Sequence, residues 1–222
     1  MKLENIKACI FDAYGTLFDV NSAAAKCKEK LGSRWENFAN AWRTTQLEYT
    51  WLRSLMKKHK NFWEITEDSL DHTMETFKIK KEMRNELLNL YKKLSPYSEV
   101  TECLEGLKKK NIKIAILSNG TPDLLKGLVE SNNIKNYFDD IFSIETVGIY
   151  KPNSKVYEIP IKKYNCSPIN ICFMSSNTWD VSGGGVFGYN AIWVNRFNKV
   201  FDKLSFKPNF VINNLKELIK II

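Results

Sequence analysis

An α/β fold, a doubly wound parallel sheet carrying an inserted helical block, is what the 222-residue sequence predicts. Three observations carry that expectation. The apolar runs Ile6–Phe11, Ile112–Leu117 and Ile169–Met174 are short and nearly continuous, as expected of strands covered on both faces. Helical patterns separate them, the alternation of a parallel sheet. Between Asn21 and Leu94 there is no Pro and no Gly beyond Gly32, so this stretch reads as helices without strands.

Taken in order, Ile6–Phe11 is the first strand, closed by Gly15. Three or four helices fit the block that follows. Phe38, Ala41/Trp42, Thr45, Tyr49, Leu52 and Leu55/Met56 there repeat near 3.6 residues and predict a helix with that apolar stripe. Ser95-Pro96-Tyr97 is the return linker. Val100–Lys110 is helical, Ile112–Leu117 a strand, and a helix starts near Pro122, with Pro just inside its first turn. Asp140–Ser143 reads as a short strand and Ser154–Tyr164 as a helix. Ile169–Met174 is a strand, followed by a short helix, the strand Ala191–Asn195, then Phe210–Ile212 and a final helix.

Composition narrows the function classes. With 33 Lys+Arg against 25 Asp+Glu the net charge is +8, yet only five of the basic residues are Arg (34, 43, 53, 84, 196). Bidentate phosphate and base-edge readers favour Arg, and the longest basic runs are short, so these Lys read as solvated surface and nucleic acid is not an expected partner. No apolar run is long enough to span a bilayer, and the first residues lack a secretory pattern, so no membrane is expected. Five Cys (9, 27, 103, 166, 172) form no C-x-x-C pair and read as reduced thiols, which fits a cytoplasmic location.

In a doubly wound sheet the ligand site lies at the carboxyl ends of the strands. The residues found there are Asp12-Ala13-Tyr14-Gly15-Thr16, Ser118-Asn119-Gly120 and Ser175-Ser176-Asn177-Thr178-Trp179-Asp180, with Lys151 in the connection between the last two. Asp12 alone could be a turn cap. Beside a Lys and a second Asp it becomes a candidate nucleophile: the ammonium keeps it ionised, and Asp180 can activate water.

The four segments, in this order, resemble the motifs of the haloacid dehalogenase superfamily over the whole chain. Tyr14 stands where the phosphatase branch has its second Asp, and Ser175, Ser176 and Asn177 occupy the stretch where that branch holds Mg²⁺. With Asp12 and Asp180 the only carboxylates in these loops, the sequence is a poor match to Mg²⁺ and a phosphate ester. The Asp-Ala-Tyr-Gly-Thr-Leu run instead is similar to the L-2-haloacid dehalogenases, which need no metal. Trp42-Arg43-Thr44-Thr45-Gln46-Leu47 through Arg53 resembles that family's cap helix with its halide-binding Arg. Arg43, Leu47 and Trp51 share one helix face; without the resemblance, a surface Arg beside core residues would be the simpler reading.

The resemblance implies a Rossmann-like catalytic core of residues 1–16 and 97–222, a helical cap of 17–96, and no cofactor. It implies that Asp12 attacks C2 of a small anionic 2-haloacid, braced by Thr16 and kept ionised by Lys151. Ser118 and nearby backbone N–H groups hold the substrate carboxylate, and Arg43 and Asn119 receive the halide product. Asp180, Ser175 and Asn177 position the water that opens the ester. Ala13 contributes to the substrate contact, and Tyr14, Leu47, Phe62, Trp179 and Tyr157 wall the pocket. Thr44, Ser154 and Gly183-Gly184-Gly185 depart from the family pattern; the last predicts a looser segment behind Asp180. A homodimer is left open, as are action on another carbon electrophile, a phosphatase, and an idle homologue that only binds.

Overall fold

A computed structural model describes residues 2–222. In chain order the elements are β1 (Ala8–Phe11), α1 (Ser22–Lys26), α2 (Lys28–Leu31), α3 (Trp35–Leu55), α4 (Phe62–Phe77), α5 (Met83–Tyr91), α6 (Val100–Lys109), β2 (Lys113–Ser118), α7 (Pro122–Ser131), β3 (Asp140–Ser143), α8 (Ser154–Tyr164), β4 (Ile171–Ser175), α9 (Thr178–Phe187), β5 (Asn190–Val194), β6 (Phe210–Ile212) and α10 (Leu218–Ile221). Among the described residues no helix is long and apolar enough to cross a membrane.

The six strands form one parallel sheet in the order β3-β2-β1-β4-β5-β6. The chain builds outward from β1 in one direction, then returns to its other side at β4, so the switch point lies between β1 and β4. Phe11 pairs with both Ile116 and Met174, so Asp12, Ser118 and Ser175 leave the sheet at one edge. All four residues of β1 and all five of β4 are buried, which explains why these runs carry no charge.

Strand boundaries shift by one or two residues. Ile169, expected in a strand, is 63% exposed in a 3₁₀ turn, because Ser167 and Asn170 cap each other there and Pro168 opens the turn. The fifth strand runs one residue earlier than expected. The block between β1 and α6 holds five helices, two of them about one turn long.

The stripe of α3 is also corrected. Its buried positions are Phe38, Ala39, Trp42, Gln46 and Thr50, while Leu52, Leu55 and Met56 are exposed. Gln46 can be buried because its Nε2 donates to Thr66 Oγ1 (2.7 Å) and to the Tyr91 hydroxyl (3.0 Å). The Thr50 hydroxyl donates to the Leu47 carbonyl (2.6 Å). Satisfied polar groups can therefore take positions that a purely apolar stripe assigns to Thr45, Tyr49 and Leu52.

Candidate active site

Asp12 continues β1 by one residue, its N–H donating to the Met174 carbonyl at 2.9 Å. A tight turn follows, with Gly15 at φ 88° and the Ala13 carbonyl accepting from Leu17 and Phe18. The turn brings Thr16 back so that its hydroxyl donates to Asp12 Oδ2 at 3.0 Å. The same oxygen accepts from Asn177 Nδ2 (2.8 Å) and Ser175 Oγ (3.3 Å). Thr16 Oγ1 in turn accepts from the Ser176 N–H at 2.8 Å, and Ser175 Oγ from the Asn177 N–H at 3.1 Å.

Asp12 Oδ1 faces only Lys151, whose Nζ is 3.3 Å away and fully buried. Lys151 Nζ also lies 2.9 Å from Asp180 Oδ2. Two carboxylates therefore share one buried ammonium. Desolvation pushes the Asp180 carboxyl up to about 6, with the Asp12 charge adding to the rise and Lys151 opposing it.

Tyr157, expected on the pocket wall, is fully buried, and its hydroxyl donates to Asp180 Oδ1 at 2.7 Å. Gly183 makes that approach possible: a Cβ there would come within 2.5 Å of the Tyr157 hydroxyl and 2.6 Å of Pro152 Cβ. The run Gly183–Gly185 is thus not a loose segment but the middle of the continuous helix α9, packed closely on its neighbours. Ser154 begins α8 under the Asn153 cap.

The other predicted residues divide between two walls. From the sheet side, Ser118 Oγ accepts from the Gly120 N–H (3.1 Å), and Asn119 Oδ1 accepts from the Lys151 N–H (3.1 Å). Both side chains are buried. From the helical side, Arg43 Nη1 donates to Gln46 Oε1 (2.9 Å) and Nη2 to the Tyr14 carbonyl (3.4 Å). Phe62 packs on Tyr14 at 5.1 Å between ring centroids, and Trp51 meets Trp179 edge-on at 5.4 Å. Arg43, Leu47, Asn177 and Trp179 line a cleft of about 540 Å³.

Four neighbours escaped the sequence reading: Gln46, Tyr91, Glu99 and Arg196. Tyr91 stacks on Tyr14 at 5.8 Å. Arg196 Nη2 donates to the Thr16 carbonyl at 2.8 Å and Nη1 is paired with Glu99. Arg196 follows the end of β5, so the strand-end rule that found Asp12 and Ser118 would have found it too. Gln46 and Tyr91 had no such signal, since their contacts span 45 residues.

The residues do not suit a divalent cation. Lys151 stands between the two carboxylates, both Asp180 oxygens are engaged, and Tyr14 occupies the place of a third acid.

Two buried carboxylates thus share one ammonium at the switch point of a Rossmann-like parallel sheet, the edge where ligands of such sheets bind. Residues 6–188 match the haloacid dehalogenase-like hydrolases, and the chain belongs to that family. It is 38% identical to (S)-2-haloacid dehalogenase 1 of Pseudomonas sp. (strain CBS-3), over 99% of this chain and 98% of that one. It is 33% identical to haloacetate dehalogenase H-2 of Moraxella sp. (strain B), over 99% of both. The structure of L-2-haloacid dehalogenase from Xanthobacter autotrophicus with chloropropionic acid covalently bound superposes with a TM-score of 0.90 at 31% identity, covering 97% of each chain.

Proposed function

We propose that this chain hydrolyses short-chain L-2-haloacids to D-2-hydroxyacids through an ester on Asp12, without a metal ion. The observation that carries the reading is the state of Asp12: Oδ2 accepts three hydrogen bonds while Oδ1 has only the Lys151 ammonium beside it. Oδ1 is the oxygen free to attack. In the first step Oδ1 bonds to C2, the C–halogen bond breaks, and halide leaves with its electron pair. Inversion at C2 accounts for the change of hand. Arg43 and the Asn119 side-chain N–H meet the negative charge that grows on the halide, which favours the transition state over bound substrate. Ser118 holds the substrate carboxylate, and Ala13, Tyr14, Leu47, Phe62 and Trp179 shape its surroundings.

In the second step water attacks the Asp12 carboxyl carbon and the ester C–O bond opens, releasing the hydroxyacid. Asp180 accepts a water proton and passes it to the leaving C2 oxygen, the remaining water proton being released as Asp12 returns to its carboxylate, with Ser175 and Asn177 orienting the attack. A carboxyl raised to about 6 is a better base near neutral pH than an ordinary one. The printed names of the relatives and the covalent adduct in the Xanthobacter enzyme support this reading. So does the Lys151 ammonium, which supplies the positive charge a metal would otherwise bring.

We also propose that residues 17–96 form the cap and that 1–16 with 97–222 form the core. The two connectors meet where Tyr97 N–H donates to the Leu17 carbonyl (3.0 Å) and Asp19 N–H to the Ser95 carbonyl (2.8 Å).

The deciding experiment is halide release from L- and D-2-chloropropionate in the presence of EDTA. Release from the L form alone, abolished in Asp12→Asn, is the expected result. Mg²⁺-dependent phosphate release from phosphate esters with no halide release would overturn the reading.

A further inference from the structure

A buried ion pair sits where the chain leaves the sheet for the helical block and where it returns. Arg196 and Glu99 have side chains 7% and 8% exposed and are paired through Nη1 and Oε1. The guanidinium lies 3.9 Å over the ring centroid of Tyr97, on the returning connector. Its Nη2 donates to the Thr16 carbonyl, on the outgoing connector, at 2.8 Å. Arg196 thus grips both connectors from the end of β5. Trp193, on the same strand, donates to the Ser176 carbonyl at 3.2 Å and steadies the loop that meets Thr16.

The cost of this arrangement points to a purpose beyond packing. Two charges are taken out of water, and Arg196 Nε is buried with no partner. A buried ion pair is weak evidence for stability, because desolvation offsets most of the attraction. What the planar guanidinium does provide is direction: it fixes a cation, a ring face and a backbone carbonyl at once. The residue held that way is Thr16, whose hydroxyl is bonded to Asp12 Oδ2.

We infer that Arg196, locked by Glu99, is a positioning residue for the reaction, holding the outgoing connector so that the Thr16 hydroxyl stays on Asp12 and leaves Oδ1 aimed at the substrate. This rests on the reading of Asp12 as nucleophile. Arg196 itself touches no reacting atom.

The test is a cycle with Thr16. Arg196→Met should lower kcat for halide release about tenfold or more while KM changes less than about threefold. Arg196→Lys, which keeps the charge but not the fork, should fall between. In a Thr16→Ala background, Arg196→Met should cost less than about threefold further, because the path to Asp12 is already cut. Should Arg196→Met fold poorly, the paired replacement Arg196→Met/Glu99→Met removes both charges and leaves none unpaired, and it should show the same kcat loss. An unchanged kcat in the folded paired variant would overturn the inference. So would losses that multiply in full on the Thr16→Ala background, which mark a general structural role. If the wild type releases no halide, the nucleophile reading fails instead. The clamp is then read from amide hydrogen exchange of Gly15–Phe18, which the paired variant should accelerate; unchanged exchange would sink it.

Discussion

The two sides of the site are held in different ways. On the sheet wall, Asp12 has four partners, from Thr16, Lys151, Ser175 and Asn177, and each stands at or just after a strand end or is anchored to one. On the helical wall, Arg43 has two, and one of them is a 3.4 Å contact to a backbone carbonyl. The sheet wall is set before any ligand arrives. Its polar groups are mostly buried and each is held by several partners, which suits electrostatic preorganisation. The helical wall reaches the core through ring contacts, Phe62 tilted against Tyr14 and Trp51 edge-on to Trp179. Under the proposed function, the polar network would carry the chemistry and the ring contacts the fit to substrate.

The largest break in that contrast comes from the sheet wall. Lys151→Met leaves two buried carboxylates without a counter-charge, at a cost of about 3–5 kcal/mol in denaturant unfolding. Halide release should fall by roughly 10³-fold or more. A variant as stable as wild type would show that the site is wetter than the geometry states.

On the helical wall, Arg43→Ala should lower kcat by roughly 10²-fold. Unfolding stability should change by less than about 1 kcal/mol, because the side chain is only half-buried. A rise in KM at unchanged kcat would move Arg43 from the transition state to ground-state binding.

Titration sharpens the comparison further. Asp180 must be ionised to take the water proton, so turnover should fall as pH drops through about 6, by about tenfold near pH 5. For stability the sign is opposite. A carboxyl raised in the folded state binds its proton more readily there than in the unfolded chain, so this group's contribution improves as pH falls from about 6 towards 4. A pH series of turnover and unfolding, repeated on Asp180→Asn, separates the two: both slopes should flatten in the variant.

The smallest effect is expected on the outer face of α3. Leu55 is 80% exposed, so Leu55→Ser should shift stability by less than about 0.5 kcal/mol and leave halide release within twofold. A larger loss would mean that this face is covered in the working protein.

Most of the sheet wall was legible in the sequence. A strand buried on both faces must be uniformly apolar, and the first polar residue after it falls at the ligand edge. That logic marked Asp12, Ser118, Asn119, Ser175 and Asn177. The helical wall was less legible. The stripe of α3 was read through Thr45, Tyr49 and Leu52, when the buried face runs through Gln46 and Thr50. Hydropathy cannot register a polar side chain whose partners lie on other helices.

Composition and pattern determined that a parallel sheet forms, the succession of strands and helices along the chain, and which loops carry the candidate polar groups, because periodicity and strand burial are local constraints. Tertiary structure alone decided that the Tyr157 hydroxyl bonds Asp180, that Gly183 leaves room for it, and that Arg196, paired with Glu99, bonds the Thr16 carbonyl beside Asp12. These contacts join residues 23 to 180 positions apart. Their geometry follows from how helices settle on the finished sheet, and no short segment of sequence encodes it.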